Sequence, residues 1–428
     1  MNIAKTYGNI VRKYLDKNPS KAGRLIRAGL HLEAFRCRYL ADKRIPEAYK
    51  LLNYKGISLV AKALDHPDTY AWTNIFAPVE LLQCFGLSCV SLEGLSSYLS
   101  GFYLEDTLID RAENEGIAST LCSYHRNFIG AADAGVIPLP VIAVTTSMVC
   151  DGNISTFRYL EERHGVPTYV LDIPHEYSGE AEEYVVSQLK ELICLLEEKT
   201  GKKLSMEELS ETIRRENRSK QHYLSFLKKR MTHKYPNTLS LVMFQLFATH
   251  LDIGKEWTEE FFAQMDREID AYPLSDEKRL FWIHIEPFDQ HALREYLNFG
   301  ERVTIAGGDF DLDYTEMMDE KHPLEALARK MLLNIYNGNF ERKTEAIARM
   351  VQEFDPDGVV EFCHWGCRQS SGGVMLLKEK MKELGKPMLI LDGDAIDRRN
   401  CPDGQIRTRF EAFLEVLESG REERKNHS

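Results

Sequence analysis

The sequence predicts an α/β protein with two doubly wound parallel-sheet (Rossmann/flavodoxin-like) domains, an N-terminal helical segment and a helical connection. Two series of short apolar runs, each run followed by a helix-length segment, carry this prediction, because strands and helices alternating at this length form parallel sheets. A long, charged, helix-patterned region separates the two series. The 428 residues are enough for two or three domains, each with its own core. The expected boundaries are 1–66 for the N-terminal helices, 67–177 for the first α/β domain, 178–271 for the connection and 272–428 for the second α/β domain.

The elements follow in order. IVRKYL, AGRLIRAGLHLEAFRCRYLADKR and AYKLLNYKGISLVAKAL repeat apolar residues at three-to-four spacing, the mark of a helix face. YAWTNIF reads as a strand and PVELLQCFG as a helix, with Pro78 near its first position, where the missing N–H costs little. LSCVSLE and VIAVTT are further strands. DGNISTFRYLEERHG then supplies an Asp/Asn cap, a helix and a glycine stop before the strand VPTYVLDIP. EAEEYVVSQLKELICLLEEKTG, SMEELSETIRRENRSKQHYLSFLKKR and EEFFAQMDREIDAY make the connection helical. The second sheet opens with RLFWIHIEP and continues through ERVTIAGGDF, GVVEFCHWG and PMLILDGDAID. The helices EAIARMVQEF, GGVMLLKEKMKELG and IRTRFEAFLEVLE lie between or after these strands. The tail SGREERKNHS is expected to fray.

The composition, 43% hydrophobic and 28% charged, is that of a soluble globular protein. No apolar run reaches the roughly 18 residues of a membrane span. A formal charge of −12 argues against nucleic acid as a partner, since that binding rests on Lys and Arg neutralising phosphates. A local basic patch for a nucleotide or coenzyme A stays open. MNIAKTYGNIVRKYLDKNPSKAGRL alternates apolar and charged residues without an h-region, so a cytoplasmic, reducing location is expected and disulfides are not.

Six of the nine cysteines, Cys84, Cys122, Cys150, Cys363, Cys367 and Cys401, fall where a predicted element ends. Ligands of open parallel sheets bind beyond the carboxyl ends of the strands. Cys150, Cys363 and Cys401 follow or end strands, and Cys122 sits in the loop-like TLCSYHRN, so the four are expected on a crest facing a shared cleft. Cys37, Cys89 and Cys194 read as packed apolar residues, and Cys84 suits either core packing or ligation. Clustered thiols in a reduced chain point to soft metal, with iron–sulfur ahead of zinc. Cys363, His364, Cys367 and Cys401 could form a zinc site, although paired C-x2-C motifs are absent. The ferredoxin cysteine run and the P-loop are also missing. A Cys–His hydrolase using His125 or His364 has no recognisable context.

LCSYHR, TTSMVCDG, EFCHWGC and PVELLQCFGL together resemble the 2-hydroxyacyl-CoA dehydratase and benzoyl-CoA reductase subunits, over roughly residues 70 to 420. The resemblance implies cluster cysteines at Cys122, Cys150 and Cys363, with an open iron that meets substrate. The extra Cys84, Cys367 and Cys401, with HWGCRQSSGG and DGDAIDRRNCPDGQIRTR, are most like the double-cubane cluster protein branch. That branch implies a homodimeric reductase of small molecules carrying an 8Fe-9S double cubane. Its low-potential electrons would come from an ATP-hydrolysing 4Fe-4S activator protein. On this reading Cys122, Cys150 and Cys363 hold one cubane and Cys84, Cys367 and Cys401 the other. The alternatives are a single 4Fe-4S dehydratase or aryl-CoA reductase subunit, an electron carrier or cluster-storage protein, and a zinc-stabilised binding protein.

An anionic cluster should be surrounded by turn and helix N–H groups, which Gly152, the Ser370–Gly373 run and Gly404 can supply. His125, Arg126, His364, Arg368 and Gln369 adjoin the expected ligands and are candidates for proton donation or for hydrogen bonds to a sulfide, against a plainer role in orienting neighbours. His364 is the weakest of this group, because alternation along a strand end turns it away from Cys363.

Overall fold

The computed structural model describes residues 3–426. The strands β1 (Tyr70–Thr73), β2 (Ser88–Ser91), β3 (Ile142–Thr146) and β4 (Thr168–Leu171) form an all-parallel sheet in the order β2-β1-β3-β4. A second all-parallel sheet holds β5 (Lys278–Ile283), β6 (Val303–Gly308), β7 (Gly358–His364) and β8 (Met388–Gly393) in the order β6-β5-β7-β8. The two orders are equivalent, so the chain direction switches beside β1 in one sheet and beside β5 in the other. Such switch points open a crevice at the carboxyl ends. Every residue of β1, β3 and β7 is buried, which is why these strands read as continuous apolar runs rather than alternating ones.

The helices Ile3–Leu15, Pro19–Tyr39 and Glu47–Asp65 precede the first sheet, and the Asn18 side chain caps the second of them by accepting from the Lys21 N–H. Between the sheets run Gly179–Thr200, Met206–Arg230, Leu239–Phe244, a π-helical turn at Phe247–Leu251, and Glu256–Glu268. The tail expected to fray instead continues the last helix, Asp403–Asn426, and its final two residues lie outside the described ones. Among the described residues no helix is long and apolar enough to cross a membrane.

Two local readings change. TLCSYHRN is a loop only as far as Cys122, because Ser123–Asp133 is a helix whose residues from Ser123 to Ala132 are all buried. Its polar residues Ser123, His125, Arg126 and Asn127 are buried against the distant partners Asp394, Thr156, Glu113 and Ser96, which local sequence does not show. The helix Asp151–His164 is capped by Cys150 rather than by the Asp or Asn that follows, although Gly165 does end it at φ 70°.

A buried ion cluster ties the parts together. Lys330 Nζ lies 2.6 Å from Glu80 Oε1 and 2.8 Å from Glu216 Oε1. Glu80 comes from the helix Val79–Cys84 between β1 and β2, Glu216 from the connection, and Lys330 from the helix Pro323–Leu333 between β6 and β7. Lys220 adds a second ammonium 2.8 Å from Glu216. Glu80 is pushed up by burial, and its proximity to Glu216 adds to this; Lys330 is held above its ordinary value by the two carboxylates, which outweigh its burial.

Candidate active site

The carboxyl ends of β1, β2, β3, β5, β6 and β7 converge on a partly open cavity of about 100 Å³. Three thiols face it: Cys122, Cys150 and Cys367. Cys122 and Cys150 are the N-cap residues of Ser123–Asp133 and Asp151–His164, and neither sulfur is spent on a cap hydrogen bond. The Tyr124 N–H near Cys122, and the Gly152 and Asn153 N–H groups near Cys150, still favour the charged form of each sulfur without making a cap hydrogen bond. The positive helix ends act in the same direction. Burial pushes the free Cys150 thiol up to about 11 and Cys122 well above its ordinary value, so a metal must displace a proton from each.

Cys367 reaches the cavity from the loop after β7. That loop can lie against the first half because Gly366 has φ 80°, and a Cβ there would stand 2.9 Å from both N and Cα of Cys122. The remaining expected ligands point elsewhere. Cys363 is on the opposite face of β7, its thiol 3.4 Å from the Ser370 carbonyl. Cys84 donates to the Glu80 carbonyl at 3.2 Å, and Cys401 to the Asp394 carbonyl at 2.9 Å. Cys37 and Cys89 are buried as read, whereas Cys194 lies on an exposed helix face.

Each cavity thiol has an imidazole beside it. His364 Nε2 is 3.2 Å from Cys122 Sγ, His125 Nε2 is 3.8 Å from Cys150 Sγ, and His284 Nε2 is 3.4 Å from Cys367 Sγ. Burial lowers His125 to about 4 and takes His284 well below its ordinary value, so both rings are neutral near pH 7. His125 Nδ1 pairs with Thr156 Oγ1 at 2.8 Å. Two residues of the cavity wall, Val149 at φ 70° and His284 at φ 67°, hold left-handed backbone that side-chain-bearing residues avoid, a form of strain that gathers at functional sites.

Of the other candidates, Arg126 is buried and turned to structure, with Nε donating to the Leu121 carbonyl at 2.7 Å and a second nitrogen paired with Glu113. Arg368 is exposed and lies 3.7 Å from Asp151, and Gln369 is half-buried beside it; neither lines the cavity.

Glu93, absent from the sequence-derived candidates, does line it. Its carboxyl is pushed up to about 7, chiefly by burial, and Oε2 has no hydrogen-bond partner. A signal was available, since Glu93 is the single charged residue between Cys84 and Leu104. The opposite wall is apolar, with Met243, Leu246 and Phe247 from the connection and Phe76 and Phe310 from the two sheets. Its π-helical turn is a local irregularity common at functional sites.

Two like-ordered parallel sheets closed over a buried carboxyl and three thiol–imidazole pairs define an α/β protein with a candidate active site between the sheets. Residues 74–417 match the family of the 2-hydroxyglutaryl-CoA dehydratase D-component, and the chain belongs to that family. It is 23% identical over 417 residues to the (R)-phenyllactyl-CoA dehydratase alpha subunit of Clostridium sporogenes, covering 90% of this chain and 99% of that one. The lactoyl-CoA dehydratase subunit alpha of Anaerotignum propionicum is 21% identical over 82% of this chain and 91% of its own. A subunit of the benzoyl-CoA reductase of Thauera aromatica is 22% identical over 80% of this chain and 87% of its own.

Proposed function

We propose that this protein is a cluster-bearing subunit of a 2-hydroxyacyl-CoA dehydratase or benzoyl-CoA-type reductase, with Cys122, Cys150 and Cys367 holding one 4Fe-4S cluster. The observation that carries this reading is the convergence of three thiols from three separate segments on one cavity. Among the described residues no three His, Cys, Asp or Glu side chains could hold a single metal ion. Thiols set around a void suit a cubane instead, in which each thiolate binds its own iron. When bound, such a cluster supplies one-electron chemistry and, with three protein ligands, leaves one iron open. The 8Fe-9S alternative needs six thiolates, and Cys84, Cys363 and Cys401 would each have to leave a carbonyl partner to contribute.

The names of the relatives support a CoA thioester of a 2-hydroxy or aromatic acid as substrate. The apolar wall receives the acyl group and excludes water. Glu93 enters as the protonated acid that exchanges a proton with the bound substrate, and neutral His125, steadied by Thr156, hydrogen-bonds it or the Cys150 sulfur. A second subunit or a second copy, and a separate ATP-hydrolysing 4Fe-4S activator as electron donor, complete the reading.

The test is iron and acid-labile sulfide per chain on anaerobically purified protein. About four irons are expected from three thiolates on one cubane, and about eight would restore the double cubane. Stoichiometric zinc without iron would overturn both.

A further inference from the structure

We infer that His364 donates a hydrogen bond to the sulfur of Cys122 and thereby raises the reduction potential of the cluster that Cys122 holds. The inference rests on the cluster reading above and deepens it.

The position of one proton carries the argument. His125 Nδ1 faces a hydroxyl that can donate or accept, and His284 Nδ1 has no partner, so neither ring has its tautomer fixed. His364 differs. The backbone N–H of Ala395 donates to its Nδ1 at 3.1 Å, so Nδ1 presents the lone pair and the neutral ring carries its proton on Nε2. Nε2 stands 3.2 Å from Cys122 Sγ and 3.4 Å from Ser123 Oγ. For an acceptor as large as sulfur the first is a close contact, whereas the second is beyond the usual N–H···O range.

Asp394 holds this arrangement in place. One carboxylate oxygen accepts from the Ile396 and Asp397 N–H groups, both at 2.9 Å, and from Ser123 Oγ at 2.6 Å. It thus shapes the loop that presents the Ala395 N–H and joins that loop to the helix beginning at Cys122. The same oxygen is 3.9 Å from His364 Nδ1, too far to compete for it. His364 is 3% exposed, so water does not dilute the contact. A donor aimed at a cluster ligand stabilises the reduced, more electron-rich state more than the oxidised one.

The experiment is an EPR-monitored redox titration of the full, anaerobically iron-loaded chain as wild type, His364→Phe and His364→Gln. The Phe variant should keep its iron and disfavour the reduced state about tenfold, a shift of about −59 mV for a one-electron couple. The Gln variant retains an N–H of similar reach and should recover most of that shift. A Phe variant with wild-type iron and an unchanged potential would overturn the inference. Should the Phe variant not fold, pulsed EPR on reduced protein labelled with 15N-histidine decides: a 15N coupling present in wild type and missing from His364→Gln supports the inference, and 15N couplings that are the same in the two proteins overturn it. Wild-type protein that takes up no iron overturns the cluster reading itself, whereas a loaded cluster indifferent to residue 364 overturns this inference alone.

Discussion

At the scale of single residues, the contest between Cys363 and Cys367 shows what a strand does to a motif. Both lie in EFCHWGC, and the pleat of β7 sends Cys363 to one face and His364 to the other, toward the cavity. Cys367→Ala is therefore expected to lower iron content sharply while Cys363→Ala leaves it near wild type; equal iron in both variants would refute the assignment. Glu93→Gln should retain iron and lower turnover by about 100-fold or more, the usual contribution of a positioned acid. Because burial holds the Glu93 carboxyl near 7, the form able to donate is lost as pH rises through that value. The wild-type rate should accordingly fall above about pH 7, and that limb should vanish from the residual rate of Glu93→Gln. His364, the weakest candidate as a neighbour of Cys363, turns out to face Cys122, a relation invisible along the chain.

At the scale of elements, the glycine turn after β7 and the helix starting at Cys122 form one joint. Gly366 occupies the left-handed region and leaves no room for a Cβ against the Cys122 backbone. Gly366→Ala should therefore cost on the order of 1–3 kcal/mol and push the two cavity walls apart. Thermal unfolding and iron content should fall together, and a variant that unfolds and loads like wild type would show the joint to be slack. The eight strands were all legible, because buried parallel strands are short apolar runs bounded by turn residues. The helix Ser123–Asp133 was not, since its polar residues Ser123, His125, Arg126 and Asn127 read as a loop while tertiary packing buries them.

At the scale of the whole molecule, the buried cluster of Glu80, Glu216, Lys220 and Lys330 joins both sheet regions to the connection behind the cavity. Buried charges are tolerated when paired and costly when orphaned. Lys330→Met leaves the buried Glu80 without its ammonium and Glu216 with Lys220 alone, and should destabilise the fold by about 3–5 kcal/mol. Adding Glu80→Gln to that variant should recover part of the loss; chemical denaturation measures both, and a neutral Lys330→Met would mean the network carries no stability.

The sequence by itself determined the fold class, the order of the strands along the chain, the family and the set of cysteines from which the site is drawn. Those properties live in local periodicity, in turn residues and in short motifs, and each is written within about a dozen neighbouring residues. The tertiary structure alone decided which three thiols share a cavity, that Cys84, Cys363 and Cys401 are satisfied elsewhere, and that Glu93 and the three imidazoles face the same space. The physical reason is that these facts depend on side-chain direction and on contacts between distant segments. The closing of Gly366 onto Cys122 and the pairing of Ala395 with His364 arise when the two sheets pack, and no spacing along the chain encodes them.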